Sequence, residues 1–452
     1  MTTLSDRLLA HATRTLPRYT SYPTALAFQP AADDGDTRRW LGDIQSQDTL
    51  SIYAHIPFCE RLCWYCGCHT SVPNGYARVA RFLNQLKREI DLWGDALPAH
   101  AGTAHLHFGG GSPNSLNTTD FAELLALLAQ RFRLRPEAEV AVELDPGNLD
   151  PSFAAGLGAA GATRASLGVQ TFDPEVQRQV NRIQPFEQVA TAVQALRGGG
   201  VEAINFDMMY GLPAQTCANV AASMETALSL EPDRVALFGY AHVPWMKKHQ
   251  AVIRDSDLAD VSGRWAQAEA AEAVLEAHGY VRIGMDHYAR PGDPMTARLA
   301  EGTLHRNFQG YTDDPSAALI GVGPSAISSL PYAYAQNTLR IDDWAAAIAA
   351  GRLPVGRQLE TTSDDRLRRT VIERLMCDLH VDVGAVCLDH GREVSTLDPA
   401  IAAARALESD GLCQVDGRRV RVPHAMGRIV RVVAACFDNR SITAPKRHSA
   451  AV

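Results

Sequence analysis

The sequence predicts an α/β fold: a partial β/α barrel of six units, followed by a small, mostly helical, winged-helix-like C-terminal domain. Three observations carry that prediction. Between about residues 50 and 290, short β-branched or aromatic runs alternate with longer amphipathic stretches, the rhythm of βαβ units in a parallel sheet. The ends of those runs carry glycine, cysteine, carboxylate and amide residues, which is where β/α barrels place their chemistry. After about Leu359 the rhythm stops.

Strands are expected over 51–56, 104–108, 139–144, 163–169, 201–207 and 234–240. Helices are expected over 77–93, 120–132, 151–159, 186–197 and 217–230. The first shows the reason: Phe82, Leu83, Leu86, Ile90 and Trp93 recur every three or four positions and make one apolar face. A helix over 257–278 and a strand over 280–285 follow. Residues 287–340, rich in Gly, Pro, Asn and Gln, read as an ordered lid. Over 364–379, Leu367, Val371, Leu375 and Leu379 share a helix face, and 412–422 reads as a hairpin turning at Asp416 and Gly417. The division is therefore 1–48, a substrate or lid segment; 49–358, the barrel with a lid extension; 359–440, the C-terminal domain; and 441–452, a disordered tail.

A chain of 452 residues exceeds one ordinary core. Its net charge of −8 argues against general nucleic-acid binding, and the winged-helix-like domain has no strongly basic helix to reverse that. There is no apolar run long enough to span a bilayer and no apolar leader, so a cytoplasmic, monomeric protein is expected, with neither nucleic acid nor membrane as partner.

Four of the nine cysteines, Cys59, Cys63, Cys66 and Cys68, lie within ten positions. Structural zinc normally takes two separated pairs of ligands, and no second C-x-x-C exists here. Three thiolates on one compact loop suit a 4Fe–4S cluster with one iron left free. A zinc knuckle using all four thiolates, or His69, is the rival arrangement. The other five cysteines sit among apolar residues, as small core side chains do. The spacing, with aromatic Tyr65 before the third thiolate, resembles the signature of radical S-adenosylmethionine (SAM) enzymes.

The remaining strand ends agree. Gly109–Gly111 and Ser112 follow the second strand, Glu143 ends the third, Gln170 the fourth and Asp207 the fifth, with Ala241 after the sixth. Bare glycines admit close backbone approach, Glu143 can accept hydrogen bonds from hydroxyls, and the Arg182 guanidinium can bind a carboxylate through two parallel bonds. The alternatives are a tight turn, a solvated rim carboxylate and a surface ion pair. Tyr53 lies on the first strand near the cysteine loop, where it can also simply fill the barrel.

Taken together, the blocks at 18–24, 53–68, 109–113, 143–146, 166–170, 205–213, 284–287, 305–311 and 323–328 resemble the oxygen-independent coproporphyrinogen III oxidases, radical SAM enzymes of haem biosynthesis. The resemblance spans about residues 16–440. It implies that Cys59, Cys63 and Cys66 bind one 4Fe–4S cluster and that two SAM molecules lie side by side. The first would touch Tyr53, Gly110, Glu143, Ala241 and Ile327. The second would touch Tyr65, Gly111, Ser112, Gln170, Arg182 and Asp207. The family often has Thr at the position of Ser112 and Phe at that of Tyr65; both exchanges keep the hydroxyl or the aromatic face. The implied reaction converts coproporphyrinogen III to protoporphyrinogen IX. A 5′-deoxyadenosyl radical takes a hydrogen from each of two propionates, which lose CO2 and an electron to become vinyls. An electron donor and an electron acceptor of unknown identity are implied. Arg18, His305, Arg306 and Gln309 are candidates for the substrate carboxylates, with lid closure or packing as the alternative. Cys68 reads as a non-ligand acting at the substrate. Haem-delivering relatives resemble the barrel but lack the fourth cysteine and the blocks at 18–24 and 305–311, all present here.

Overall fold

A computed structural model describes residues 6–440; the tail expected over 441–452 lies outside the described residues. A 13-stranded sheet dominates it. At its centre run parallel strands in the spatial order Ala318–Val322, Leu50–Ile56, Thr103–Gly110, Leu134–Leu144, Arg164–Gln170, Ala203–Tyr210 and Arg234–Gly239. Antiparallel strands continue both sides, ending at Gln29–Pro30 and at Val281–Ile283. Those two edges do not pair, so the barrel is open.

All six expected βα units are present. The stretch 287–340, read as an ordered lid, also builds the main sheet and holds the helix Pro294–Glu301. It supplies His287–Ala289, Ile327–Ser329, Ala333–Asn337 and the parallel strand Ala318–Val322 beside Leu50–Ile56. Its glycines and prolines punctuate short strands. Ala318–Val322 is buried on both faces and shows no alternation by which to recognise it.

The helices cover the outside of the barrel. Tyr76–Ala96 buries Val79, Phe82, Leu83, Leu86, Ile90 and Trp93. Phe82 meets the Phe58 ring edge-on at 5.2 Å and stacks on Trp344 at 5.2 Å, fixing the helix above the first strand. Caps set several starts: Asn117 accepts the Asp120 N–H, and Asp150 accepts that of Ser152. Among the described residues no helix is long and apolar enough to cross a membrane.

The same helix buries Glu89 completely. Its carboxylate accepts Gly323 N–H at 2.7 Å, Asn337 Nδ2 at 2.6 Å, Trp344 Nε1 at 2.8 Å and Trp93 Nε1 at 3.3 Å. Burial outweighs these bonds and raises the carboxyl to about 7. The folded chain therefore binds a proton more tightly than the unfolded chain. This contribution to stability is full below the ordinary carboxylate value and declines as pH rises to about 7. In Glu89→Gln, the unfolding free energy is expected to lose a decline of ~3 kcal/mol between pH 4.5 and 7. Denaturant titrations across that range check it.

The N-terminal segment reaches the far end of the chain. Tyr19 and Tyr22 are buried, and their hydroxyls donate to Asp438 at 3.0 Å and Asn439 at 2.6 Å. Arg431 Nη1 donates to the Leu16 carbonyl at 3.1 Å. The C-terminal domain contains the helix Ser363–Asp378 and a three-stranded sheet of His380–Asp382, Gln414–Asp416 and Arg419–Arg421. Its hairpin turns at Gly417 and Arg418, one residue later than expected, because Asp416 still pairs with Arg419. The strand Val355–Glu360 crosses the expected 358/359 boundary and belongs to the main sheet.

Candidate functional site

The cysteine loop leaves the first barrel strand at Ile56 and returns through a bridge between Phe58 and Ser71. Cys66 N–H donates to the Cys63 carbonyl at 3.1 Å, a tight turn that brings these two residues together. Each of the three sulfurs has a polar neighbour. Cys68 N–H donates to Cys66 Sγ at 3.4 Å, Arg182 Nη1 donates to Cys63 Sγ at 3.4 Å, and Thr70 Oγ1 lies 3.1 Å from Cys59 Sγ. All nine cysteines are free thiols. Among the described residues no three His, Cys, Asp or Glu side chains close around a single ion. Spread thiols on one loop, each with a donor nearby, fit a cubane, in which every thiolate binds its own iron. Cys68 is exposed, and its carbonyl accepts Lys247 Nζ at 2.8 Å.

The glycine loop is stitched to the strand that feeds this loop. Gly111 N–H donates to the Ile56 carbonyl at 2.8 Å and Ser112 N–H to the Phe58 carbonyl at 2.7 Å. The bareness of these glycines serves the protein itself. A Cβ on Gly109 would lie 2.6 Å from the Glu143 carboxyl, one on Gly110 2.2 Å from His55 Nδ1, and one on Gly111 2.5 Å from the Phe58 carbonyl. Gly110 also has φ of +106°, open to glycine at no steric cost.

His55 was not singled out from the sequence, yet it organises the rim. Its Nε2 lies 2.9 Å from the His69 carbonyl, which can only accept, so Nε2 carries the proton. Nδ1 then accepts from the Tyr53 hydroxyl at 3.2 Å. Burial lowers His55 to about 4, keeping it neutral. His107 is a second such residue: its Nε2 donates to Glu143 Oε1 at 2.8 Å, while Gly110 N–H donates to Oε2 at 3.2 Å. Burial works against the charge on Glu143, but His107 and Gly110 hold its carboxyl below the usual range. The position of His107 two residues from Gly109 on an alternating strand was the available signal.

Arg182 is buried, not a surface ion pair. Its Nη2 lies 3.1 Å from Asp145 Oδ1 and donates to the Gly168 carbonyl at 2.6 Å. Asp145, quoted in a sequence block without a role, is thus its anchor. Ser112 is buried beside it, accepting the Asp145 N–H at 3.1 Å. Tyr65 packs against the cluster of Val176, Val180, Leu212, Tyr240 and Ile253, and its carbonyl accepts Gln250 Nε2 at 2.8 Å. Gln170 ends its strand with φ of 66°. Asp207 does not end its strand, which continues to Tyr210 because Met208 and Tyr210 keep the buried face. It faces the barrel interior, where burial and then Glu143 raise its carboxyl to about 7. Ala241 lies two residues past the sixth strand. Ile327 begins an antiparallel strand whose backbone packs against Gly321.

The four substrate candidates line three cavities, with Arg306 Nη2 donating to the Arg18 carbonyl at 3.4 Å. Gln309 joins Glu143 and Asp207 around a cavity of about 250 Å3 in the barrel. Arg164, bound to Glu139 at 2.9 Å, and Arg234, bound to Asp293 at 2.8 Å, lie at its other end. His305 and Arg306 line a second cavity of about 290 Å3 with Tyr19, Tyr22 and Glu373. There Glu373, 3.3 Å from Nδ1, raises the His305 pKa. Arg306 lies 4.3 Å over the Tyr311 ring. Arg18 lines a third, small cavity beside Ala241.

Residues 53–227 match the radical SAM superfamily, and residues 361–425 match the HemN C-terminal domain. The oxygen-independent coproporphyrinogen III oxidase of Bradyrhizobium diazoefficiens is 44% identical over 448 residues, 99% of this chain and 100% of that one. Its counterpart in Escherichia coli is 36% identical over 430 residues, 93% of this chain and 92% of that one. The solved coproporphyrinogen III oxidase (HemN) of Escherichia coli, described as a radical SAM enzyme, superimposes with a TM-score of 0.89 at 33% identity. That match covers 94% of this chain and 100% of the other. Membership of the superfamily brings a 4Fe–4S cluster and SAM; the three thiols on one loop fit the cluster, and the rim carboxylate of Glu143 fits the hydroxyls of SAM. The chain belongs to the oxygen-independent coproporphyrinogen III oxidase family of radical SAM enzymes.

Proposed function

We propose that this protein oxidatively decarboxylates two propionates of coproporphyrinogen III to vinyls, giving protoporphyrinogen IX. One observation carries the reading. The loop of Cys59, Cys63 and Cys66 is hydrogen-bonded to the Gly109–Gly111 turn, which in turn holds Glu143, within a chain that matches so-named relatives over nearly its full length.

Cys59, Cys63 and Cys66 are the cluster ligands in this reading, and Cys68 stays off the iron. When bound, the cluster would supply the electron for SAM cleavage and SAM the radical chemistry, with Cys59, Cys63 and Cys66 holding the cluster. The chain's own work is placement and exclusion of water. Tyr53, Gly110, Glu143, Ala241 and Ile327 line the place of the first SAM; the hydrogen-bonded unit of Tyr53, His55, Gly110 and Glu143 supports this. Tyr65, Gly111, Ser112, Gln170, Arg182 and Asp207 line a second SAM place. Arg182, fixed by Asp145 and Gly168, brings a positive charge to it. We place the reaction in the cytoplasm, in a monomer served by a separate electron donor and acceptor.

An anaerobic assay with SAM, reductant and coproporphyrinogen III tests the reading. Protoporphyrinogen and CO2 are the expected products; haem binding with no product would point to the haem-delivering relatives instead. The second SAM place has its own test. Asp207 accepts hydroxyl donors best as a carboxylate, and its proton is bound below about 7. SAM affinity at that place is expected to weaken by up to about tenfold per pH unit below that value. In Asp207→Asn the pH dependence is expected to flatten, as isothermal titration would show.

A further inference from the structure

Five arginines surround one small cavity beside the rim: Arg18, Arg264, Arg282, Arg428 and Arg431. They come from the N-terminal segment, the helix Val261–Ala277, the edge strand Val281–Ile283 and the C-terminal domain. The cavity holds about 30 Å3. A water needs about 10–15 Å3 of such space, so the cavity has room for about two, or for the two oxygens of a carboxylate.

Two carboxylates face Arg18, Arg282 and Arg428. Glu272 takes Arg282 and Arg428. Asp286 lies 3.8 Å from Arg18 and shares its charge with His287 at 2.8 Å. Arg264 has no ion pair among the described residues, and its buried Nε has no hydrogen-bond partner there. Burial first, and then Arg18, lowers the Arg431 guanidinium to about 9, and burial with Arg18 also lowers Arg264. Like charges buried together favour an anion between them.

The cluster is seated in the fold. Arg264 Nη2 donates to the Tyr240 carbonyl at 2.7 Å and Arg18 Nη2 to the Gly239 carbonyl at 3.2 Å, so both hold the end of the sixth barrel strand. Gly211 makes the seat: it has φ of +79°, and a Cβ there would lie 2.9 Å from Arg264 Nε. The block at 210–213 thereby gains a purpose. Only a thin wall separates this cavity from the barrel interior. Phe238 and His287 face the cavity of Glu143 and Asp207, while their neighbours Gly239 and Asp286 face the arginines.

We propose that Arg264, together with Arg18 and Arg431, anchors one propionate carboxylate of the tetrapyrrole, a propionate other than the one reacting in the barrel. The inference rests on coproporphyrinogen III being the substrate. The test compares Arg264→Met and Arg264→Lys with the wild type in turnover of coproporphyrinogen III. Fluorescence titration with coproporphyrin and with its tetramethyl ester accompanies it. Arg264→Met is expected to raise KM about tenfold or more, the loss of one charge-assisted hydrogen bond, with kcat within about twofold. Arg264→Lys restores part of the difference. Coproporphyrin binding weakens in parallel, and binding of the ester does not change. Iron content after reconstitution and a thermal unfolding midpoint near that of the wild type show that the Met variant is folded; should that variant not fold, Arg431→Met is read the same way. Wild-type turnover with unchanged KM and coproporphyrin affinity in the variants overturns the anchor and leaves the proposed function standing. A wild type that turns over nothing, yet loses coproporphyrin affinity in Arg264→Met, overturns the proposed reaction and keeps the anchor.

Discussion

Cys63→Ser is expected to release iron and to stop reductive SAM cleavage. Cys63 is buried, unlike the partly exposed Cys59 and Cys66, and Arg182 donates to its sulfur. A serine hydroxyl stays protonated near pH 7, so it offers iron a poor ligand where a thiolate was held in place. Arg182 stays in place on Asp145 and Gly168, so the loss reads out the ligand and not a displaced charge. Partners outside the ligand shell alone are worth about 10–100-fold in metal sites, so removing the ligand itself should cost more than about 100-fold in 5′-deoxyadenosine release. Iron analysis after anaerobic reconstitution, with chromatography of 5′-deoxyadenosine, checks it. Full iron content with a wild-type rate would remove Cys63 from the ligand set.

Gly111→Ala should be nearly as damaging for a different reason. The added Cβ would sit 2.5 Å from the Phe58 carbonyl oxygen, 2.7 Å from Phe58 N and 2.8 Å from the Ile56 carbonyl oxygen. All three are main-chain atoms of the segment that leads into Cys59, so no side-chain rotation relieves the clash. The glycine turn must part from the cysteine loop and break the Gly111–Ile56 hydrogen bond. Overpacking of this kind costs about 1–3 kcal/mol in stability. A shift of about 1 Å between reacting groups costs about 100-fold in rate. Gly292→Ala is the control, since a Cβ there meets nothing within 4 Å. Thermal unfolding and SAM cleavage are the two measurements. Equal values for the two alanine variants would show that the turn yields without disturbing the loop.

The strands and helices of the barrel were legible because each obeys a short period: two for Arg164–Gln170 and Ala203–Tyr210, three to four for Tyr76–Ala96. Legibility failed where burial erased the period, as at Ala318–Val322, and where a strand ran on past its functional residue, as at Asp207. The cysteine loop and the glycine turn could be read as neighbours because both follow adjacent parallel strands. The partners that hold them could not. His55 and His107 look like ordinary strand residues, and Asp145 pairs with Arg182 across 37 positions of chain. Arg264 and Arg431 were invisible for the same reason: nothing local distinguishes them, and only folding brings them to Arg18.

The clasp between Tyr19, Tyr22 and Arg431 at the two ends of the chain has a consequence for synthesis. Tyr19 and Tyr22 are made 419 and 417 positions before their partners Asp438 and Asn439. Domains fold from the N-terminus as they emerge, so the barrel can form while its first twenty or so residues still lack their binding partners. The arginine cavity and the seat of the N-terminal segment close only once Arg431, Asp438 and Asn439 have been made. A growing chain thus carries a barrel that is folded but not yet fastened.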